Sequence, residues 1–400
     1  MSIFETIIPR INYITVFYHA SVLSISIGSG LLSAGAWWLA TRRSKIALAT
    51  LACMLSFMLL DLALFRSMPM LGLSFGLSRI PFLLIAIVRG IATVTSAVGL
   101  LAYLALRHWR NPLSLPARSS SLYWAIPVSI NLAMTGCLVD GLIIEPLNID
   151  VNHVALMSER WPEDAPPLRI VHISDPHIER LTHRERDALR RVEDLSPDLI
   201  LMTGDYLNIS FLNDAQARED FREWANQLYA RYGVYAVWGN TDLAPWRDEL
   251  MHGLDITVLS NETKAVTING RDINLVGIDV HQYFMSKDRR VLERLAEELP
   301  QDGFNVLLYH TPDLMPEAIA TDKIDLYLAG HTHGGQIRLP VYGAIVTASM
   351  YGKRYEAGSY EEERTHLYVS RGLGFEGGHA PRIRFLCPPE ITVFDLSVSP

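Results

Sequence analysis

The 400-residue chain has only three cysteines, Cys53, Cys137 and Cys387. The first two lie in apolar stretches and Cys387 is alone in the second half, so no disulfide framework can form there. The apolar Phe385-Leu386 beside Cys387 suggests that its thiol is buried. Basic residues are also scarce: 35 Lys and Arg against 43 Asp and Glu give a net charge of −8, which argues against a protein that wraps nucleic acid. There is no internal repeat and no low-complexity tail. The scarcity that organises the molecule is of charge near the front. Tyr13–Ala40 contains no Asp, Glu, Lys or Arg; Ile46–Phe65 contains only Asp61, Ile80–Leu106 only Arg89, and Leu122–Ile144 only Asp140. Each exceeds the ~18 apolar residues that suggest a membrane span. A cleaved signal peptide would account for one such stretch and not for four. Residues 1–145 are therefore expected to be a transmembrane domain of four helices, at about 13–40, 46–65, 80–106 and 122–144, and residues 146–400 a separate domain.

Loop charges predict the orientation. The first loop carries Arg42, Arg43 and Lys45 and the third Arg107, Arg110 and Arg118, whereas the second has Arg66 and Arg79. The segment after the fourth span opens with Glu145 and Asp150. The first and third loops then face the cytoplasm, and both termini lie outside it. This predicts a multi-pass inner or plasma membrane protein whose second domain is extracytoplasmic, in the periplasm. Charges within spans are expensive. In this topology Asp61, Arg89 and Asp140 all lie towards the outer side, as an Arg–carboxylate pair holding the bundle together or as a polar notch for a lipid headgroup.

Pro162, Pro166 and Pro167 mark irregular chain after the spans, and Asn148–Met157 reads as an edge strand. From Leu168 strands alternate with helical stretches at Thr182–Leu195, Asp214–Tyr232 and Lys287–Leu299, a βαβ pattern. Beyond about Asp255 the strands shorten, with turns at Asn269-Gly270 and Tyr342-Gly343 that suggest antiparallel pairs.

Five strands end abruptly in metal-binding residue types. Leu168–Ser174 runs into Asp175-Pro176-His177, and Asp198–Thr203 into Gly204-Asp205. Gly233–Trp238 ends in Gly239-Asn240-Thr241-Asp242, Phe304–Tyr309 in His310, and Ile324–Ala329 in Gly330-His331-Thr332-His333. Parallel strands would deliver all of these to one carboxyl-end crevice. Asp175, His177, Asp205, Asn240, His310, His331 and His333 pool two Asp, one Asn and four His. Such a set suits two divalent transition ions sharing a carboxylate. His172, His183, His252 and His366 fall outside the pattern and read as structural or solvated, and His19 lies in the first span.

In that order these motifs resemble the calcineurin-like metallophosphoesterases. The strings Gly330–Pro340, Tyr351–Tyr355, Ser370–Gly374 and Phe385–Ile391 are similar to a bacterial membrane-associated branch that includes cell-wall-associated phosphodiesterases and UDP-2,3-diacylglucosamine hydrolases. The resemblance runs from about Leu147 to Leu396. It implies an α/β domain of four layers, two packed mixed sheets with helices outside. It also implies a first metal on Asp175, His177, Asp205 and His333, and a second on Asp205, Asn240, His310 and His331, with Asp205 bridging. Mn²⁺, Fe or Zn²⁺ fit such a mixed site better than Mg²⁺.

One position departs from the family: the histidine that protonates the leaving group, or binds phosphate, is here Thr241. His281 and His379 are the candidate replacements. The basic aromatic stretch Tyr351–Tyr355 could contact phosphate or a membrane surface. The resemblance implies hydrolysis of a phosphodiester or phosphoanhydride by metal-bound hydroxide. The expected partners are the lipid bilayer and a lipid-linked phosphate substrate, with no nucleic acid. Two alternatives are a cytoplasmic-facing pyrophosphate hydrolase of the UDP-2,3-diacylglucosamine type and a non-catalytic metal-binding sensor or scaffold.

Overall fold

The computed structural model describes residues 24–35, 38, 44–68, 79–110, 120–161, 166–281, 285–376 and 382–398. Short pieces aside, the chain divides into one compact unit up to Asp140 and a larger one from Gly141.

The first unit is helical at residues 24–35 and in α1 (Ser44–Ser67), α2 (Arg79–Arg110) and α3 (Ser120–Val139). These segments overlie the four charge-poor stretches. Leu48, Leu59, Leu84, Ile91, Val98 and Leu132 are exposed. The polar groups are turned inward. Arg89 grips Asp61 with two bonds, Nε to Oδ2 at 2.8 Å and Nη2 to Oδ1 at 2.7 Å. Its other bonds reach Asn131 Oδ1 at 3.0 Å and Thr135 Oγ1 at 3.1 Å, so one network joins α1, α2 and α3. Among the described residues one helical stretch, Val128–Leu147, is long and apolar enough to cross a membrane; Leu55–Leu64 and Leu83–Thr95 are shorter apolar stretches.

In the second unit, β1 (Asp150–Met157), β2 (Leu168–Ile173), β3 (Leu199–Met202), β4 (Val234–Ala236) and β5 (Ile256–Val258) belong to one sheet. After β6 (Glu262–Ile268), β7 (Arg271–Ile278), β8 (Phe304–Tyr309) and β9 (Leu326–Ala329) come the two-residue strands β10 (Arg338–Leu339) and β11 (Gly343–Ala344). The chain finishes with β12 (Gly358–Glu362), β13 (Thr365–Val369) and β14 (Glu390–Ser397). There are two six-stranded sheets, ordered β1-β14-β2-β3-β4-β5 and β12-β13-β9-β8-β7-β6. Both are mixed. In the first, β14 is antiparallel to β2 but parallel to β1; in the second, β6 and β12 are antiparallel to their neighbours.

Alternation along the strands makes the layers. Leu168 and Ile170 of β2 face Val306 and Leu308 of β8 in a core between the sheets. Val171 and Ile173 point instead to α4 (His183–Leu195) and α5 (Ala215–Ala225), through Val192, Phe221 and Trp224. On the far side Leu307 and Tyr309 pack against α7 (Met285–Glu298) and α8 (Met315–Thr321). The expected four layers of two mixed sheets and outer helices are thus observed. Both early helices begin on local chemistry: Glu185 accepts from the Thr182 amide at 2.9 Å, and Asp214 from that of Ala217 at 3.2 Å.

Some expected boundaries need correction. The helix expected over Asp214–Tyr232 stops at Ala225, because the chain must turn back into β4; the Tyr232 amide is pinned to Asp198 O at 2.8 Å and Gly233 takes φ +100°. The strand expected over Gly233–Trp238 pairs only over Val234–Ala236. The edge strand expected over Asn148–Met157 is β1, which starts at Asp150 and pairs with β14 alone. The sequence patterns missed α6 (Ala244–Met251), α8 and β14.

Candidate active site

Parallel pairing of β2, β3 and β4, and of β8 and β9, brings their carboxyl ends to one side of each sheet. The turns beyond them are bonded to one another. The amides of Asp175 and His177 donate to Gly204 O and Asp205 O, each at 3.1 Å, and that of Gly330 to His310 O at 2.8 Å. The sheets are tied across the site by His310 Nδ1 and Thr203 O at 2.6 Å, and by the His331 amide and Asp175 Oδ2 at 3.1 Å. Gly330 is required by packing, since a Cβ there would overlap Ser174 Oγ and Asp175 Oδ2. Five of the seven expected residues, Asp175, His177, Asp205, His331 and His333, have positive φ between 41° and 67°. Non-glycine residues are held there only where the surroundings over-determine them.

Two triplets result, Asp175–His177–His333 and Asp205–His310–His331, with donor atoms within 4.8 Å of one another in each. In the first, His333 Nε2 is 3.1 Å from His177 Nε2 and 3.4 Å from Asp175 Oδ1. Asp205, of the second triplet, also faces the first, its Oδ2 3.6 Å from His177 Nε2 and 3.3 Å from His310 Nε2. Asp205 Oδ1 is occupied by the Thr241 amide at 2.8 Å, leaving Oδ2 to the cluster.

Burial and neighbouring charge shift the ionisable groups of the cluster in opposite directions. Burial pushes Asp175 up, against the pull of His310. Asp205 is driven well down in spite of burial, chiefly by His310. Burial opposes a charge on His310, yet Asp205 and Asp175 hold it at about 10. Burial and His310 lower His331 to about 4; burial, His177 and Arg384 keep His333 neutral.

Even so, Asp205 Oδ2, Asn240 Oδ1, His310 Nε2 and His331 Nδ1 are buried without a hydrogen-bond partner. Orphaned buried polar atoms are costly and rare. Four together fit a cation, since each presents a lone pair once His310 gives up the proton that Asp205 otherwise holds on it. The carbonyls of Thr203 and Leu207, which can only accept, face His310 Nδ1 at 2.6 Å and His177 Nδ1 at 3.4 Å. In the neutral rings they fix Nδ1 as the donor and turn the Nε2 lone pairs into the cluster.

The sequence profile of the calcineurin-like phosphoesterases matches residues 168–335, the segment that carries the seven residues. The uncharacterized metallophosphoesterase YkuE of Bacillus subtilis is 33% identical over 261 residues, which span 63% of this chain and 87% of that one. This chain belongs to the calcineurin-like metallophosphoesterases. The phosphodiesterase YaeI of Escherichia coli is 30% identical over 244 residues, covering 59% of this chain and 84% of its own. As a member of this family the protein is a metal-dependent phosphoesterase, a hydrolase.

Of the other candidate residues of this metallophosphoesterase, Thr241 meets the triplets through its amide and His281 has a partner of its own. Thr241 is buried, its hydroxyl turned to Leu207 O at 3.3 Å, the carbonyl that also faces His177. His281 is engaged by Asp288, Nδ1 to Oδ1 at 2.6 Å, and the other Asp288 oxygen takes the Tyr309 hydroxyl at 2.7 Å. His379 lies outside the described residues. Of the histidines read as structural, His172 is buried with Nε2 2.8 Å from Thr203 Oγ1, and burial lowers it to about 3.

Two residues of the site, Arg384 and Glu376, went unread in the sequence, and Asp242 was read only as part of its motif. Asp242, the last residue of the Gly239–Asp242 motif, accepts the amides of Gly239, Asp205 and Tyr206 at 2.7, 2.8 and 3.0 Å. Arg384, fully buried, donates to the carbonyls of Arg371 and Gly372 at 2.8 and 3.0 Å, with Nη2 3.4 Å from His333 Nδ1. Glu376 approaches the first triplet from the loop after β13. Asp242 was legible as the acid that closes the Gly239–Asp242 motif; for Glu376 there was no signal.

Proposed function

We propose that the protein hydrolyses a lipid-linked phosphodiester or phosphoanhydride with two divalent ions, from a membrane-anchored position outside the cytoplasm. The observation that carries the dinuclear reading is the set of four orphaned buried atoms on Asp205, Asn240, His310 and His331, beside the separate triplet Asp175–His177–His333. Asp175, His177, Asp205 and His333 would hold one ion and Asp205, Asn240, His310 and His331 the other, with Asp205 shared. Mixed nitrogen and oxygen donors suit Mn²⁺, Fe or Zn²⁺. Such a pair, when bound, binds phosphate oxygens, acidifies water and offsets the charge of an in-line displacement.

The chain's own residues orient that chemistry. Thr203 O and Leu207 O hold two imidazoles in the donor tautomer, and the Thr241 amide directs Asp205. The Thr241 hydroxyl, buried and turned to a carbonyl, cannot deliver a proton near neutral pH. Leaving groups that depart as stable anions are therefore favoured, as in a phosphoanhydride.

Support for a lipid substrate comes from the chain just after His333. Leu339, Val341, Tyr342, Ile345, Val346 and Met350 are exposed around the β10–β11 hairpin. The base of that hairpin packs on the site, since Gly335 abuts Ala344 so closely that a Cβ would clash. Exposed apolar side chains grouped in this way mark an interaction surface, here suited to acyl chains. Mixed-micelle assays of one pyrophosphate headgroup on long and short acyl chains test this. The long-chain substrate should have a kcat/KM higher by about tenfold or more, the scale of one to two buried methylenes. Equal values would contradict the lipid assignment.

A further inference from the structure

We infer that Glu376 is an additional donor at the metal centre, a third carboxylate facing the ion assigned to Asp175, His177 and His333. This rests on the dinuclear reading above and extends it to a residue outside the strand-end pattern. Glu376 Oε2 lies 3.9 Å from His177 Nε2 and 3.9 Å from His333 Nε2. That is too far for a hydrogen bond. Among His177, His333 and Asp175 the separations are 3.1 Å between the two Nε2 atoms, and 3.8 and 3.4 Å from these to Asp175 Oδ1. Donors around a tetrahedral ion with bonds of about 2.1 Å sit about 3.4 Å apart. These five separations straddle that value, so the carboxylate stands at coordination range. Its oxygen also lies within 4.8 Å of the His177 and Asp205 donors.

The position is built by the backbone. Leu373 and Gly374 donate to Ser174 O and Asp175 O at 2.9 and 2.7 Å, laying this loop along the turn after β2. Gly374 permits the approach, because a Cβ there would overlap Pro176 O and His177 Cβ. Asn208 holds Phe375 O at 2.9 Å and Gln336 holds the Glu376 amide at 3.0 Å. Three turns of the site thus clamp the residue, while its side chain stays 27% exposed at the rim. A third carboxylate strengthens the hold on a divalent ion and shifts the donor set towards oxygen, which favours Mn²⁺ over softer ions.

The test is Mn²⁺ binding by full-length protein in detergent, followed by calorimetry and metal analysis, for wild type, Glu376→Gln and Glu376→Asp. Wild type should bind two Mn²⁺. Glu376→Gln should keep one site unchanged and weaken the other by about tenfold or more, the scale on which ligand-shell changes act. Glu376→Asp should fall between, and the metal-free proteins should share one Tm. Equal affinities in all three proteins would overturn this inference alone. Failure of the wild type to bind two ions would overturn the dinuclear reading and this inference with it. A lowered Tm in metal-free Glu376→Gln would also overturn it, by making the residue a structural one.

Discussion

Thr241 sets the leaving-group requirement, because the position that should hold an acid holds a hydroxyl bonded to Leu207 O. Thr241→His should raise turnover of alkyl phosphodiesters by at least about tenfold, the lower part of the range for general-acid catalysis. It should leave p-nitrophenyl esters nearly unchanged, and equal effects on both would contradict the assignment. Asp242 ties three amides of two turns together, so Asp242→Ala should destabilise the domain by about 3 kcal/mol or more, measured by thermal unfolding. His172 gives the pH prediction. Its folded value, about 3, lies below the ordinary 6.5, so the unfolded chain binds more protons between those values. Its contribution is therefore complete above about pH 6.5 and is lost as pH falls towards 3. His172→Asn should flatten the decline of Tm between about pH 6 and 4; an unchanged slope would contradict burial of the neutral ring. The seven donor residues were legible because each follows an apolar run directly. Glu376 was not, because its place depends on Gly374, Asn208 and Gln336, which meet only in the folded chain.

At the scale of elements, legibility followed burial. The strands β2, β3, β8 and β9 are almost wholly buried and read as apolar runs, unbroken in β3 and β9 and interrupted by Arg169 and His172 in β2 and by Asn305 in β8. Their parallel pairing is what delivers the site. The helices α6 and α8 are short and open on proline, so they carry too few turns for a period to emerge. The overlong α5 arose because Leu228 and Ala230 remain buried after the helix has ended, continuing the apolar pattern through irregular chain. The β10–β11 hairpin carries its own prediction. Replacing Val341 and Val346 by Asp should abolish the preference for long-chain substrates while soluble diesters are hydrolysed as before; a preserved preference would remove the hairpin from substrate recognition.

For the whole molecule, the proposed membrane domain depends on polar residues turned inward among apolar helices. Arg89→Leu leaves Asp61 buried without its bidentate partner, a change that costs about 3–5 kcal/mol. The yield of folded protein should fall, and Asp61→Leu added to it should restore the yield. No loss in the single variant would contradict a structural role for the pair. Reporter fusions of alkaline phosphatase and a fluorescent protein at the end of the second unit test the side of the membrane. Phosphatase activity without fluorescence is expected, and the reverse would favour the cytoplasmic-facing hydrolase. The central claim is that the clustered histidines and carboxylates form a working dimetal phosphoesterase. It is tested most directly by hydrolysis of bis-p-nitrophenyl phosphate by the purified protein loaded with Mn²⁺, beside an Asp205→Ala, His331→Ala double variant. Turnover by the wild type that disappears in the double variant is the predicted result. Two bound Mn²⁺ with no turnover of this activated substrate would contradict it.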